Sequence, residues 1–150
     1  MEKAGFGGRF VAYLVDNILV GLISTVLFGC CAGPAYLLGG QDEDVFIALI
    51  VVISCLWVAG LFIIQFVYFG YFWSKRGQSP GKMLLDIKVE KDDGSMLSFF
   101  EAGLRGTFGY WLSSVIFYLG FLWALFDENK ETWHDKIFST QVLYKSERIS

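Results

Sequence analysis

Val45-Phe46-Ile47-Ala48-Leu49-Ile50-Val51-Val52-Ile53-Ser54-Cys55-Leu56-Trp57-Val58-Ala59-Gly60-Leu61-Phe62-Ile63-Ile64-Gln65-Phe66-Val67-Tyr68-Phe69-Gly70-Tyr71-Phe72-Trp73-Ser74 contains no charged side chain. As an α-helix these residues would reach about 45 Å at 1.5 Å per residue. That exceeds the roughly 30 Å of a bilayer's hydrocarbon. A helix on the surface of a soluble bundle shows a polar face every turn, and this stretch shows none. It reads as a membrane span, long enough to tilt or to extend beyond the lipid. Phe66, Tyr68, Phe69, Tyr71, Phe72 and Trp73 crowd its C-terminal end, as in an interfacial aromatic belt.

Two further runs are nearly as apolar. Residues 10–38 hold one charge, Asp16, and residues 106–126 hold none. The 150-residue chain is 55% hydrophobic, where soluble domains reach about 45–50% even with glycine counted. Its net charge of −3 comes with no basic cluster, which argues against a nucleic-acid partner. The basic lead from Lys3 to Arg9 opens onto a long apolar stretch without a small-residue cleavage site. It is expected to be a retained span and not a secretory signal. Cys30, Cys31 and Cys55 sit in apolar runs without Cys-x-x-Cys or Cys/His spacing. They read as small hydrophobes, with no metal or cofactor implied.

The layout follows from these runs. Helix 1 is expected over about 8–29, with Gly33 and Pro34 able to break it. Gln41 to Asp44 form a tight acidic loop, and helix 2 covers about 44–73 with Asp44 as N-cap. Residues 75–98 are polar. Within them Met83 to Glu90 alternates: Leu85, Ile87 and Val89 fall on one face, Asp86, Lys88 and Glu90 on the other. That is strand periodicity. Asp92-Asp93-Gly94 signals a hairpin turn, with Ser95–Leu97 as a short return strand. Ser98 followed by Glu101 has the form of a capping box and opens a third helical segment over 99–126, with Gly120 as a break. In the tail, 127–150, Asp127 to Glu131 form a polar turn, Trp133 to Ile137 a helical turn, and Thr140 to Tyr144 a strand that needs a sheet to join. The hairpin is the candidate.

The expected fold class is therefore an all-α membrane protein with a small cytoplasmic β-hairpin, in a single domain over 1–150. It has two transmembrane helices plus a third segment that is re-entrant, interfacial or spanning. Lysine and arginine set the orientation. The 39–44 loop has neither, whereas 75–98 holds Lys75, Arg76, Lys82, Lys88 and Lys91. The hairpin and N-terminus are expected inside and the acidic loop outside, in a cell (plasma) membrane. Lys130, Lys136, Lys145 and Arg148 argue that the tail is inside too. That conflicts with a single crossing of 99–126, and halves of about 13 residues would each rise only about 20 Å.

Asp16 is the first candidate for function. A carboxylate mid-span costs about 2.5–3.5 kcal/mol on insertion scales, so it carries either a site or a helix-packing role. Arg9 lies two turns earlier on the same face, and Asn17 adds a second polar group. Arg105 can pair with Glu101 at i,i+4. His134, the one histidine, stands beside Asp135. A proton relay is conceivable there, but hydrogen bonding at a surface is the more common use. Gly77-Gln78-Ser79-Pro80-Gly81-Lys82 has the look of a phosphate loop, but its spacing is wrong and Met83 stands where a Ser or Thr would bind magnesium. It reads as a turn. No catalytic constellation can be assembled, and no enzyme is expected.

The chain resembles the RDD family of small membrane proteins. Gly8-Arg9-Phe10-Val11-Ala12-Tyr13-Leu14-Val15-Asp16 is similar to the family's opening, and Gly77 to Leu84 to its Gly-Gln-Thr-Pro-Gly-Lys turn. Asp93-Gly94 with Leu97-Ser98, Leu122 to Asp127, and Thr132 to Lys136 resemble its later segments, ending in a Gly-Thr-like step that is Ser139-Thr140 here. The resemblance puts the family's arginine on Arg9 and its aspartates on Asp16 and Asp135, with Asp127 near the last. It implies transport of a small ligand, or cation/proton exchange by a homo-oligomer, with Arg9, Asp16 and Asp135 as one polar cluster. The alternative is a structural or accessory subunit of a larger membrane complex, in which that cluster only holds the fold.

Overall fold

The computed structural model describes residues 2–39, 42–115 and 119–145. Two long helices dominate: α1, Phe6–Gly39, and α2, Glu43–Arg76. Two stretches, Phe6–Pro34 and Glu43–Arg76, are long and apolar enough to cross a membrane. The expected break at Gly33-Pro34 does not occur, since Pro34 lies inside α1. Proline removes one ladder bond, and the bonds on either side of it carry the helix past that point. The N-cap of α2 is also displaced from expectation. Asp42, not Asp44, caps it: Asp42 Oδ1 accepts from the backbone N–H of Asp44 and Val45 at 3.1 and 3.2 Å. Asp44 instead lies in the first turn, where its charge faces the positive end of the helix dipole. Gly40 and Gln41 of the expected loop lie outside the described residues.

The chain divides into two compact units, residues 18–64 and residues 1–17 with 65–150. In the first, α1 and α2 lie side by side. Trp57 Nε1 donates to the Ser24 carbonyl at 3.2 Å, and the Phe28 and Trp57 rings are 5.1 Å apart. An apolar recess of about 210 Å³ lies between them, lined by Leu27, Phe28, Ile53, Leu56 and Trp57. Cys30, Cys31 and Cys55 are exposed on these helices.

The second unit holds the sheet and most of the buried polar and charged side chains. After α2 come a one-turn helix α3, Pro80–Met83, and strand β1, Ile87–Lys91. The strand begins later than Met83 because Pro80 starts a helical turn, with Met83 N donating to the Ser79 carbonyl at 2.8 Å. The expected hairpin is corrected. The turn at Asp92-Asp93-Gly94 exists, but Ser95–Leu97 form no return strand. Instead β1 pairs antiparallel with β2, Thr140–Tyr144, in the register Val89 to Val142. The polar exit from the turn explains this. Ser95 N donates to the Asp93 carboxylate at 2.8 Å, which bends the chain toward the next helix. The N-terminal lead closes the other edge of β2: Ala4 N donates to the Val142 carbonyl and Tyr144 N to the Glu2 carbonyl.

The segment after Leu97 is helical but interrupted. It comprises α4 (Phe99–Leu104), a π turn (Arg105–Gly109), α5 (Tyr110–Val115), α6 (Leu119–Leu122) and a 3-10 turn (Trp123–Leu125). Gly120 lies within α6, and residues 116–118 are outside the described set. The capping box at Ser98 and Glu101 forms as the sequence implies. The i,i+4 pair of Glu101 with Arg105 does not: Glu101 takes Lys91 at 2.8 Å, and Arg105 turns inward. One face of the segment packs tightly, with the Gly106 Cα set so near Phe69 that any side chain would collide with the ring. The other exposes Phe99, Phe100, Phe108, Trp111, Trp123 and Phe126.

Helix α7, Trp133–Phe138, precedes β2. Ser139 joins them in the left-handed region at φ 48°. Glycine is favoured at such a helix end, consistent with the glycine that the RDD pattern has there. The core gathers Phe69, Trp73, Ile87, Val89, Tyr110 and Val142.

A cysteine pair tests the sheet. With Cys30, Cys31 and Cys55 replaced by alanine, Glu90→Cys with Gln141→Cys should cross-link on mild oxidation, because directly paired strand residues fall within disulfide reach. Glu90→Cys with Met96→Cys should not. The reverse result, read as a mobility shift on gels, would restore the hairpin.

Candidate functional site

Asp135 is the centre of the buried polar network. It is the third residue of α7, and its Oδ2 accepts from the Thr132 backbone N–H at 3.1 Å and the Thr132 hydroxyl at 2.8 Å. This is the geometry of a capping box, which places a carboxylate over the helix N-terminus. Two arginines then converge on it. Arg9 Nη1 donates to Oδ2 at 2.6 Å, and Arg105 Nη2 donates to Oδ1. Arg105 is fully buried and Asp135 is 1% exposed. Each arginine is held along its length. Arg9 Nε and Nη2 donate to the carbonyls of Ala4 and Val142, and Arg105 Nε donates to Thr140 Oγ1 at 2.9 Å. The Arg105 guanidinium also lies 4.8 Å from the Trp73 ring centre. Burial alone would raise the Asp135 carboxyl, but Arg105 and Arg9 outweigh it and hold the group well below the usual carboxylate range.

His134 is buried and not at a surface as the sequence led us to expect. Its Nε2 is 2.9 Å from Thr132 Oγ1 and its Nδ1 2.9 Å from Ser113 Oγ. Thr132 gives its one hydroxyl proton to Asp135, so Nε2 carries the proton and donates to Thr132, while Nδ1 accepts from Ser113. Burial drives the imidazole well below its ordinary value, so it is neutral. Here its two ring nitrogens are engaged by Thr132 and Ser113.

Asp16 forms a separate lock. Its Oδ1 accepts from Tyr68 Oη at 2.9 Å and from the Gly81 backbone N–H at 2.8 Å, and its Oδ2 accepts from the Ser79 hydroxyl. The start of α3 is thereby fastened to α1. Position 81 requires glycine, because a Cβ there would drive into the Ala12 carbonyl and the Asp16 carboxyl. Ser79, Pro80 and Gly81 thus do together what neither a phosphate loop nor a plain turn would do. They present donors to a carboxylate in a membrane helix. Asn17 is peripheral: it donates to the Tyr13 carbonyl at 2.8 Å and meets Gln65 at 3.5 Å. Asp127 pairs with Lys136 and accepts from Glu131 N, at the edge and away from the arginines.

Of the three residues expected to cluster, Arg9 and Asp135 pair directly, and Asp16 bonds to other groups. Arg105 belongs with the first pair. Lys82 was read as part of a turn, but its side chain is 2% exposed and its Nζ donates to Tyr110 Oη at 3.0 Å. The signal that could have raised its standing is Gly81-Lys82 beside Pro80, which fixes a helical turn against α1. Thr132 and Thr140 lay in the stretches that resemble the family, but nothing in the sequence gave their hydroxyls a partner. Among the described residues, no group of three His, Cys, Asp or Glu side chains comes together to hold a metal.

Two long apolar helices joined to a polar unit with a buried arginine–aspartate core define a small membrane protein. The pattern of the RDD family matches residues 3–139, and the chain belongs to that family. Two Bacillus subtilis (strain 168) proteins are similar along nearly its whole length. One, "Uncharacterized protein YxaI", is 31% identical and aligns over 97% of this chain and 100% of its own. The other, "Uncharacterized protein YckC", is 29% identical over 95% of this chain and 85% of its own. No solved structure matches.

Removal of either partner of the core should be costly. Asp135→Ala and Arg105→Ala are each expected to destabilise the protein by about 3–5 kcal/mol, since a buried charge loses its pair. The double variant should cost less than both singles together. Denaturant titration in detergent reads this, and additive losses would show that the pair does not act as a unit.

Proposed function

We propose that this chain is a membrane-embedded structural or accessory subunit, in which the RDD residues fasten the spans to the polar unit. The observation that carries this reading is the saturation of both buried carboxylates. Asp16 accepts from Ser79, Gly81 and Tyr68, and Asp135 from Arg9, Arg105 and Thr132. A cation site needs carboxylate oxygens free to coordinate. These oxygens are spent on fixed donors, and the neighbouring charges are mainly positive. Cation/proton exchange, the rival reading, would need these bonds to break in each cycle.

The same geometry supports a topology. Strands β1 and β2 and the lead residues 2–4 are hydrogen-bonded to one another, which supports a common side of the bilayer for all three. The segment 99–126 leaves that sheet and returns to it, which fits a re-entrant or interfacial element and not a single crossing. Its exposed aromatics face lipid in this arrangement. Lys75, Arg76, Lys88 and Lys91 put that side in the cytoplasm by the positive-inside rule.

Two experiments test these proposals. The purified chain alone in proteoliposomes should show no sodium- or pH-driven flux, and co-purification from native membranes should bring down a constant partner. Sodium- or pH-driven flux by the purified wild type alone would overturn the subunit reading. For topology, a cysteine at Lys145 in a cysteine-free background should be protected from an impermeant thiol reagent in intact cells and labelled after permeabilisation. Labelling in intact cells would place the tail outside.

A further inference from the structure

Lys82 ends the turn that Asp16 holds, and among the described residues it is the buried cation that the two locks leave unpaired. Its Nζ donates to the neutral Tyr110 hydroxyl at 3.0 Å and lies 4.9 Å from the Trp73 ring centre. No ion pair among the described residues includes it. The charged and titratable groups around it come from every neighbouring element. Asp16 and Arg9 lie on α1, Arg105 on the π turn, Tyr110 on α5, and Asp135 and His134 on α7. Both carboxylates are already satisfied by other donors, and His134 is neutral. When Lys82 carries its proton, the groups acting on one another around it are three cations, Arg9, Arg105 and Lys82, against two carboxylates, Asp16 and Asp135. When Lys82 is neutral, the charges balance.

A buried ammonium with one hydrogen bond out of three and no carboxylate of its own is poorly stabilised. The two arginines cannot relieve the excess, because a guanidinium does not deprotonate in proteins. The lysine can. We propose that Lys82 is a proton-binding site: its amine takes up and releases a proton while the protein stays folded. Burial pushes this amine down to about 7, with Asp16 pulling the other way. With that shift the uncharged amine is populated near neutral pH, where an ordinary lysine is almost wholly protonated. This goes beyond the subunit role proposed above and does not depend on it.

The sign of the stability effect follows. The unfolded lysine keeps its ordinary value of 10.5. Between about 7 and 10.5 the unfolded chain binds more protons than the folded one, so stability rises with pH across that window. Below it, the full penalty of the buried charge is present.

The test is 13Cε NMR of selectively labelled lysines in the full-length chain in nanodiscs. One lysine signal should titrate with a midpoint below about pH 8.5, far from the usual value of about 10.4. It should vanish in Lys82→Met or Lys82→Arg, whichever folds. In Lys82→Met the rise of stability between pH 7 and 10 should flatten. The proposal is overturned if no lysine signal of the wild type moves below about pH 8.5, or if the low-pH signal survives in a folded Lys82 variant.

Discussion

Asp135 is the constraint on which the polar unit depends. One carboxylate binds Arg9 at the start of the first span, Arg105 in the π turn and Thr132 at the cap of α7. Three parts of the chain, more than a hundred residues apart at the extremes, are tied through two oxygens. The interaction is strong because it is dry: both charges of the Arg105 pair are fully desolvated, and in low dielectric an unpaired member would be very costly. Its consequences propagate outward. Fixing α7 fixes Ser139, whose left-handed turn launches β2, and β2 then completes the sheet with β1 and the N-terminal lead.

Asp16 solves a different problem with the same chemistry. A carboxylate in an apolar helix is tolerated when fixed donors replace its water. Here the donors come from outside the helix: a serine hydroxyl, a glycine N–H and a tyrosine hydroxyl. The polar turn after α2 is therefore built around α1. That explains why Pro80 and Gly81 sit where they do. Proline starts a helical turn at its first position, and glycine leaves room for the carboxylate to reach the exposed N–H.

What could be read from the sequence was what depends on neighbours in the chain. The charge-free run 45–74 announces a span, the alternation around Ile87 and Val89 announces a strand, and Ser98 with Glu101 announces a helix start. What could not be read was partner choice at long range. Asp93-Gly94 signals a turn, and a local return strand is the cheapest partner in loop entropy. The partner in the structure is the distant β2, and the arginine–aspartate core holds α7, which leads into that strand, alongside. Arg105 was assigned to Glu101 by the same local rule, yet Lys91 claims Glu101 from across the turn and frees Arg105 for the interior. Lys82 was taken for a solvated turn residue because nothing within four residues reveals that Trp73 and Tyr110 will close over it. The two residues of the family's motif that do meet, Arg9 and Asp135, lie 126 positions apart, and only the resemblance brought them together in advance.

The division of the motif into two locks bears on how the family's residues should be interpreted. A single cluster of Arg9, Asp16 and Asp135 would offer two carboxylates to one cation, the arrangement of an ion site. The structure instead gives each carboxylate its own donors and places the surplus charge on the cationic side. Arg9 and Arg105 share Asp135, and Lys82 has only a hydroxyl and two aromatic faces. Substituting either aspartate would therefore remove a support of the fold before it removed any ligand. Loss of activity in such a variant would by itself say little about ion binding. A residue whose charge changes while both locks stay closed is a better probe of chemistry in this interior, and Lys82 is placed to be that residue.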